Sequence, residues 1–298
     1  MPFLQLTIDI GKRDPQPIED ALFSAGAVSV TLLDAADDPV LEPAPGQTPL
    51  WPTVVVRALF DADADPEQIA ASLRATGGSD LPPPAFERIE DKAWEREWLK
   101  DFHPMRFGRR LWVCPGGMAA DDPRAVRIEL DPGLAFGTGT HATTAMCLDW
   151  LDSLEAGAIH GADVIDYGCG SGILAIAALK LGAARAVAMD IDPQALIATR
   201  QNAERNAVLD RIQVSDHPDA GGRVADLLLA NILAGPLVEL APRFARLVRP
   251  GGWLALSGLL VDQADTVAVA YAPWFDIRLT AARDGWGLLG GRRRAHRP

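Results

Sequence analysis

The chain has 298 residues, of which 48% are hydrophobic and 23% are charged. At about 150 residues per domain this length predicts two domains, and the composition excludes a chain that is disordered over most of its length. The formal net charge is −12, and residues 1–90, with 5 Lys/Arg against 15 Asp/Glu, carry 10 of these negative charges.

The acidic first third of the chain indicates what kind of partner it can bind. Its charge repels a phosphate backbone and attracts cations, so we expect a basic protein as partner and no direct contact with nucleic acid. An acidic surface that only aids solubility is the alternative interpretation, and the charge alone does not distinguish the two.

The apolar stretches are too short for a membrane span of ~20 residues, and the first residues lack the basic segment of a signal peptide. We therefore expect a soluble, cytoplasmic monomer that does not contact a membrane. Cys114, Cys147 and Cys169 are far apart and form no CxxC pair, so we expect neither a disulfide framework nor a zinc site.

Residues 1–90 are predicted to form a small α+β domain. Their hydrophobic patterns indicate four strands and two helices in the order βαββαβ, which is the ferredoxin-like arrangement. The predicted strands are 3–10, 27–33, 53–60 and 85–89, and the predicted helices are 17–25 and 66–75.

A charged helical segment follows this domain. Its aromatic residues Trp94, Trp98 and Phe102 recur every four residues and form one stripe, which is typical of a helix that packs on a neighbouring domain. We interpret residues 91–106 as a linker helix between a first domain, 1–90, and a second domain, 107–298.

From residue 163 onward the chain alternates strands and helices. The short apolar runs are typical of parallel strands that are buried on both faces, and the order predicts a doubly wound, Rossmann-like α/β domain. The predicted strands are 164–167, 186–190, 212–215, 225–231 and 252–257, the helices are 173–181, 193–206, 237–248 and 262–272, and a hairpin is predicted at 275–290.

A glycine-rich turn, DYGCGSG at 166–172, follows the first strand of this domain. Its GxGxG spacing differs from the GxGxxG of dinucleotide binders, and the acid Asp166 suits a cationic ligand better than a pyrophosphate. S-adenosylmethionine carries an ammonium, a carboxylate and a ribose but no phosphate. We expect the ammonium near Asp166 and the turn glycines Gly168 and Gly170, the carboxylate near backbone N–H groups, and the ribose diol at Asp190. The alternative is a structural turn beside a surface acid.

Asn231 ends the fourth strand at the same edge of the predicted sheet, where ligands bind in open α/β domains. Its amide oxygen can accept an N–H of an amine and leave the nitrogen lone pair free to attack a methyl group. We therefore expect Asn231 to orient the nucleophile, although a strand-terminal Asn can also cap the next helix.

A segment rich in glycine and threonine, 131–144, precedes this domain, and a helix is expected after it. We interpret it as a flexible segment that covers the cofactor and offers threonine hydroxyl groups as hydrogen-bond donors. His141 is a candidate general base, although a histidine at a helix start is more often a structural hydrogen-bonding group.

Five segments together resemble the bacterial ribosomal protein L11 methyltransferase family. They are DPGLAFGTGTHATT at 131–144, DYGCGSGILAIAALKLGA at 166–183, DIDPQA at 190–195, NILAGPL at 231–237 and PGGWLALSGLL at 250–260. The resemblance implies transfer of methyl groups from S-adenosylmethionine to lysine ε-amino and amino-terminal α-amino groups of a basic ribosomal protein, with the first domain recognising that substrate. It also implies that Thr144, Gly168, Asp190 and Asn231 contact the cofactor.

The sequence is compatible with three other functions. The most similar alternative is another class I methyltransferase, which would act on another protein, on a base or on a small molecule. An NILA segment in place of an NPPY-like one disfavours a planar amide or a base as its substrate. An NAD-dependent oxidoreductase is disfavoured by the GxGxG spacing. A binding protein with a vestigial site is disfavoured because the expected cofactor residues are all present.

Overall fold

The computed structural model describes residues 2–36, 51–77, 81–89, 103–116, 118–120, 122–130, 141–217 and 222–295. Contacts between Cα atoms divide the chain into two compact units, Met1–Glu97 and Trp98–Pro298.

The first unit has the predicted order βαββαβ. Its elements are β1 (Phe3–Gly11), α1 (Gln16–Ser24), β2 (Ser29–Asp34), β3 (Val54–Asp61), α2 (Pro66–Gly77) and β4 (Ala85–Ile89). The strands form a sheet in the order β2-β3-β1-β4, and every neighbouring pair is antiparallel. This arrangement confirms the predicted ferredoxin-like fold.

One face of this sheet carries the core of the first unit. Alternate residues of β1 and β3, such as Leu6 and Phe60, have no exposed surface, because successive side chains of a strand point to opposite faces. Leu22 of α1 and Leu73 of α2 belong to the same buried cluster, so both helices cover that face.

The second unit begins with a three-stranded sheet that the sequence patterns did not predict. Its strands are β5 (Met105–Phe107), β6 (Leu111–Pro115) and β7 (Val126–Leu130), with β5 antiparallel and β7 parallel to β6. Residues 91–102 of the predicted linker helix lie outside the described residues. Its last two residues, Met105 and Arg106, are in a strand, because they pair with β6 and lead into the buried Phe107.

The rest of the second unit is a doubly wound α/β fold, as predicted. Its strands are β8 (Asp163–Tyr167), β9 (Arg185–Met189), β10 (Ile212–Ser215), β11 (Ala225–Asn231), β12 (Val248–Leu260), β13 (Phe275–Arg283) and β14 (Trp286–Arg293). Its helices are α3 (Ala142–Ser153), α4 (Ala156–Ile159), α5 (Ile173–Lys180), α6 (Pro193–Arg205), α7 (Ala234–Leu247) and α8 (Ala264–Tyr271).

The order of the seven strands places a switch point beside β8. The sheet runs β10-β9-β8-β11-β12-β14-β13; β14 runs opposite to the other six strands, which all point the same way. The chain leaves β8 towards β9 and β10 and then returns to the other side of β8 with β11. Ligands of open α/β sheets bind outside the carboxyl ends of the strands at such a point.

Both faces of this sheet are buried, which explains why its strands lack alternation. In β11, Leu227 and Leu229 belong to the core under α3 and α5, whereas Leu228 and Ala230 belong to the core under α7 and α8. A strand that is covered on both sides must be apolar at successive positions. None of the helices in the described part of the chain is long and apolar enough to cross a membrane.

Candidate functional site

A cavity of about 500 Å³ opens at the switch point. It is formed by the residues that follow β8, β9, β10 and β11, by the start of α5 and by one side of α7. Its described lining residues are Thr144, Tyr167, Gly168, Cys169, Gly170, Ile173, Leu174, Met189, Asp190, Ile191, Asp216, Asn231, Ile232, Leu233, Pro236 and Leu240. Five of the seven predicted site residues are therefore together here: Thr144, Gly168, Gly170, Asp190 and Asn231.

The glycine-rich turn forms the middle of the cavity wall. Gly168 has a φ of 76°, a left-handed conformation that favours glycine. A Cβ on Gly168 would also collide with the side chain of Ile232. The amides of Gly168 and Cys169 donate to the Met189 carbonyl at 2.7 and 2.9 Å. These two N–H groups are used within the protein, so they are not free to bind the carboxylate that we expected beside backbone N–H groups.

Asp190 directly follows β9, and its carboxylate is hydrogen-bonded to the glycine turn. One carboxylate oxygen accepts the Gly170 N–H at 2.9 Å, and the other accepts the Asp192 N–H at 3.0 Å. A carboxylate offers about four lone-pair sites, so each oxygen can accept one further hydrogen bond from a ligand. This arrangement suits a pair of hydroxyl groups in the cavity.

Asp166 lies beneath the turn and does not line the cavity. Its side chain is fully buried, and one oxygen accepts the Ala175 N–H at 3.0 Å. The other oxygen has no hydrogen-bond partner among the described residues. The structure therefore places Asp166 close to the other predicted cofactor residues but not in the cavity wall that they form. Burial raises the pKa of Asp166 to about 7, the Ala175 N–H opposes this shift, and the nearby Asp190 charge adds to it.

Asp166→Asn should change how stability depends on pH. The pKa of Asp166 lies near 3.8 in the unfolded chain and about 7 in the folded chain. Between these two pH values the folded chain holds the proton and the unfolded chain does not. The contribution of Asp166 to the stability of the wild type is therefore complete at low pH and is lost as pH rises through 7. The difference in unfolding free energy between variant and wild type should grow by about 1.4 kcal/mol per pH unit from about pH 5 to 7. Urea unfolding at several pH values measures this slope, and a difference that is constant with pH would contradict it.

Asn231 and Thr144 meet at the other side of the turn. The Asn231 amide nitrogen donates to the Thr144 hydroxyl oxygen at 3.2 Å. Asn231 is the last residue of β11, and Thr144 lies in the first turn of α3, where it is 2% exposed. The cavity thus carries a neutral amide at the position that we predicted for orienting a nucleophile.

His141 occupies the cap of α3 and is not among the cavity-lining residues. Its Nδ1 lies 2.7 Å from the Thr143 hydroxyl and accepts from the Thr143 N–H at 3.4 Å. Its ring also packs edge-on against Trp286, with 5.1 Å between the ring centroids. These contacts match the structural interpretation of His141. Most of the predicted cover, residues 131–140, lies outside the described part of the chain.

Several lining residues were not predicted. Asp216 follows β10, and the rule that ligands bind at the carboxyl ends of parallel strands would have found it. Pro236 and Leu240 lie four residues apart on one side of α7, and their helical spacing is a signal that was visible in the sequence. The side chain of Ile191, which is 96% exposed, gave no such signal.

The chemistry of the cavity favours positioning over covalent catalysis. Cys169 is the thiol in the described lining, and burial raises its pKa. Its thiol therefore stays protonated and is a poor nucleophile. The remaining polar groups accept or donate hydrogen bonds, and their arrangement suits holding two reactants against each other.

Comparison with known proteins identifies the family. Residues 2–294 match the family described as "Ribosomal protein L11 methyltransferase (PrmA)". A protein of Pseudomonas aeruginosa (strain LESB58), named ribosomal protein L11 methyltransferase, is 55% identical over 296 residues, which are 99% of this chain and 100% of the relative. A protein of Pseudomonas putida (strain GB-1) with the same name is 54% identical over 297 residues, with the same coverage of both chains.

A solved structure agrees with this assignment. The ribosomal protein L11 methylase of Lactobacillus delbrueckii subsp. bulgaricus is 31% identical, has a TM-score of 0.59, and aligns with 65% of this chain and 100% of its own. The match to the family extends over both units, and the two curated relatives are covered along their full length. The chain belongs to the ribosomal protein L11 methyltransferase (PrmA) family.

Proposed function

We propose that this chain transfers methyl groups from S-adenosylmethionine to amino groups of ribosomal protein L11, namely lysine ε-amino groups and the amino-terminal α-amino group. The observation that carries the proposal is the neutral amide of Asn231 at the switch point, in a cavity that also presents Asp190 and Asp216. The names of the relatives support L11 as the substrate. Because that substrate is a ribosomal protein, the proposal places the reaction in the cytoplasm.

The residues present fit this cofactor. The order of the strands places Asp216, Asp190, the glycine turn and Asn231 in a row along the carboxyl edge of the sheet. Neighbouring strands lie about 4.8 Å apart, so this row is about 14 Å long, and a nucleoside that carries an amino acid chain can lie along it. The lining also contains the apolar side chains of Met189, Ile191 and Leu240, which can pack on a base.

Each polar group then has a partner of suitable chemistry. Asp190 would accept from the two ribose hydroxyls, and Asp216 would accept from the amino group of the adenine. The Thr144 hydroxyl is a donor for the carboxylate, in place of the turn amides that are already bonded. When bound, S-adenosylmethionine supplies a methyl group on a positively charged sulfur, which makes that carbon electrophilic.

Asn231 orients the attacking amine. Its amide oxygen accepts one N–H of the neutral amine, which directs the nitrogen lone pair towards the methyl group. Holding two reactants in this way can lower the barrier by a large part of ~7–11 kcal/mol. A lysine of pKa ~10.4 must lose its proton first. The role of the His141 ring in the helix cap favours loss of this proton to water over transfer to His141.

The test is incubation of the protein with isotope-labelled S-adenosylmethionine and purified ribosomal protein L11, followed by mass spectrometry of L11. The expected result is label on lysine and amino-terminal nitrogens. Tight binding of S-adenosylhomocysteine without transfer to L11 would instead favour a class I methyltransferase that acts on another protein or on a small-molecule nucleophile. Binding of NADH but not of S-adenosylhomocysteine would contradict the proposed cofactor.

Asp190→Ala should weaken the binding of S-adenosylhomocysteine by about 10- to 150-fold, because hydrogen bonds to a charged group contribute about 1.5–3 kcal/mol. Asp192→Ala is the matched control. Asp192 caps α6 by accepting the Gln194 N–H at 2.9 Å and is absent from the cavity lining, so its loss should cost stability but not affinity. Isothermal titration calorimetry measures both variants, and unchanged affinity in Asp190→Ala would remove Asp190 from the site.

A further inference from the structure

We infer that Thr144 is a positioning residue whose hydroxyl group fixes the amide of Asn231, so that the amide oxygen and not the amide nitrogen faces the substrate amine. The inference rests on the proposed function, because it concerns the amine that attacks the methyl group. It assigns Thr144 a role beyond the cofactor contact expected from the sequence.

The hydrogen bond between the two side chains determines which end of the amide is free. The Asn231 Nδ2 donates to the Thr144 Oγ1 at 3.2 Å. Among the described residues, no group donates to the Asn231 Oδ1, and Asn231 is half-buried in the cavity wall. A hydroxyl group can accept from the nitrogen end of an amide or donate to its oxygen end. Because the proposed function commits the Thr144 proton to the carboxylate of the cofactor, the hydroxyl oxygen can only accept from Asn231. The nitrogen end of the amide therefore faces α3, and the oxygen end is left for a ligand.

Asn231 needs such a contact because an amide turns easily. The last torsion of an Asn side chain is broad and roughly two-fold, so without a partner both orientations of the amide are accessible. Thr144 is a partner with little freedom to move, because it lies in the first turn of a helix and is 2% exposed.

The wrong orientation would block the reaction. With the nitrogen end turned to the cavity, the amide would donate an N–H to the amine. The amine would then accept this bond with the lone pair that must attack the methyl group. An amide locked with its oxygen forward accepts an amine N–H instead and leaves the lone pair free. The Thr144 contact thus selects the productive complex.

Three variants test this role. Thr144→Val keeps the shape of the side chain but removes the hydroxyl group, and Thr144→Ser keeps the hydroxyl group. Thr143→Val is the matched control, because Thr143 is equally buried in the same turn but its hydroxyl group contacts His141. At saturating S-adenosylmethionine, with ribosomal protein L11 as substrate, Thr144→Val should lower kcat by about 10- to 100-fold, the effect of misplacing a reactant. Thr144→Ser should keep most of the turnover, and Thr143→Val should match the wild type.

A double-mutant cycle separates this role from a cofactor contact. If Thr144 acts through Asn231, the effect of Thr144→Val on kcat should disappear in an Asn231→Ala background. The affinity for S-adenosylhomocysteine, measured by calorimetry, reports any direct contact of Thr144 with the cofactor. A measurement that does not depend on turnover is the side-chain amide signal of Asn231 in nitrogen-15 NMR spectra. This signal is assigned as the one that is absent from the spectrum of Asn231→Ala. This signal should shift in Thr144→Val and stay in place in Thr144→Ser.

The outcomes distinguish the inference from the function on which it rests. Wild-type turnover in Thr144→Val, or an equal loss of kcat in both backgrounds, would overturn the positioning role while the methylation of L11 by the wild type still stands. Failure of the wild type to methylate L11 would overturn both. An unshifted Asn231 amide signal in Thr144→Val would show that the hydroxyl group does not hold the amide.

Discussion

Replacing Asn231 with alanine should lower the turnover number for ribosomal protein L11 by about a hundredfold or more, while the affinity for S-adenosylhomocysteine changes much less. The reason is that Asn231 is the group at the switch point whose amide oxygen is free to accept from an amine. Loss of an orienting contact allows the reactants to move by about 1 Å, and such a displacement costs about 100-fold in rate. Cofactor affinity should persist because Asp190, Asp216 and the glycine turn are unchanged.

A matched control for Asn231→Ala is Asn206→Ala. Asn206 is a buried amide that ties the end of α6 to β7, accepting the Glu129 N–H at 2.9 Å, and it does not line the cavity. Its loss should lower the free energy of unfolding without lowering the turnover of the folded enzyme. Single-turnover kinetics and calorimetry on both variants give the comparison. Near-normal turnover in Asn231→Ala would mean that other groups orient the amine.

The sequence predicted the parts of the fold that follow from local patterns. The βαββαβ order of the first unit was visible because each element carries its own periodicity of buried residues. The parallel strands of the second unit were visible as short apolar runs without alternation. The positions of Gly168, Asp190 and Asn231 were predictable as well, since each lies at or directly after the carboxyl end of a strand and parallel strands end at the same edge. Asp216 satisfies the same rule and was missed because no other feature of the sequence marked it.

Contacts between distant segments were not predictable. Asp152, which is 1% exposed, accepts from the backbone of Arg109 and from the Arg110 side chain at 2.8 Å, and so ties the end of α3 to the turn between β5 and β6. A buried carboxylate needs such partners, but more than 40 residues separate them and no local pattern joins them. The short strands β5 and β7 have the same origin, because pairing with β6 defines them.

The burial of Asp166 explains why the structure does not place this acid of the glycine motif in the cavity wall. From the sequence, an acid two residues before a glycine turn is an acceptor for the ammonium of the cofactor. In the structure its position in β8 directs it to the face covered by α5, where it accepts the Ala175 N–H. Alternation within the strand decides which face of the sheet a residue occupies. Because both faces of this sheet are covered, the strand residues are apolar on both sides, and the sequence does not show which face Asp166 occupies.

Removing the first unit should abolish most of the activity on L11 without removing the cofactor site. The two units have separate cores, because the buried cluster of residues 4–81 shares no member with the clusters that begin at Phe107. A chain that begins at His103 keeps β5 and every described element of the second unit. We expect it to fold and to bind S-adenosylhomocysteine with wild-type affinity.

The loss should be specific for the intact protein substrate. The first unit carries most of the negative charge, and steering of a basic partner by charge raises association rates by about 10- to 1,000-fold. The truncated chain should therefore show a kcat/KM for L11 that is lower by a factor in this range, whereas both chains should methylate a short lysine peptide equally well.

Salt provides a second test of this recognition by charge. Rising salt should lower the kcat/KM of the intact enzyme for L11, because charges beyond the Debye length of ~8–10 Å are screened. The triple variant Asp61→Asn, Asp63→Asn, Glu67→Gln neutralises three exposed acids between the end of β3 and the first turn of α2. It should lower kcat/KM at low salt and show a weaker salt dependence. Full activity of the truncated chain on intact L11 would show that the first unit does not recognise the substrate. If the triple variant kept the wild-type salt dependence, these three acids would not contribute to the attraction.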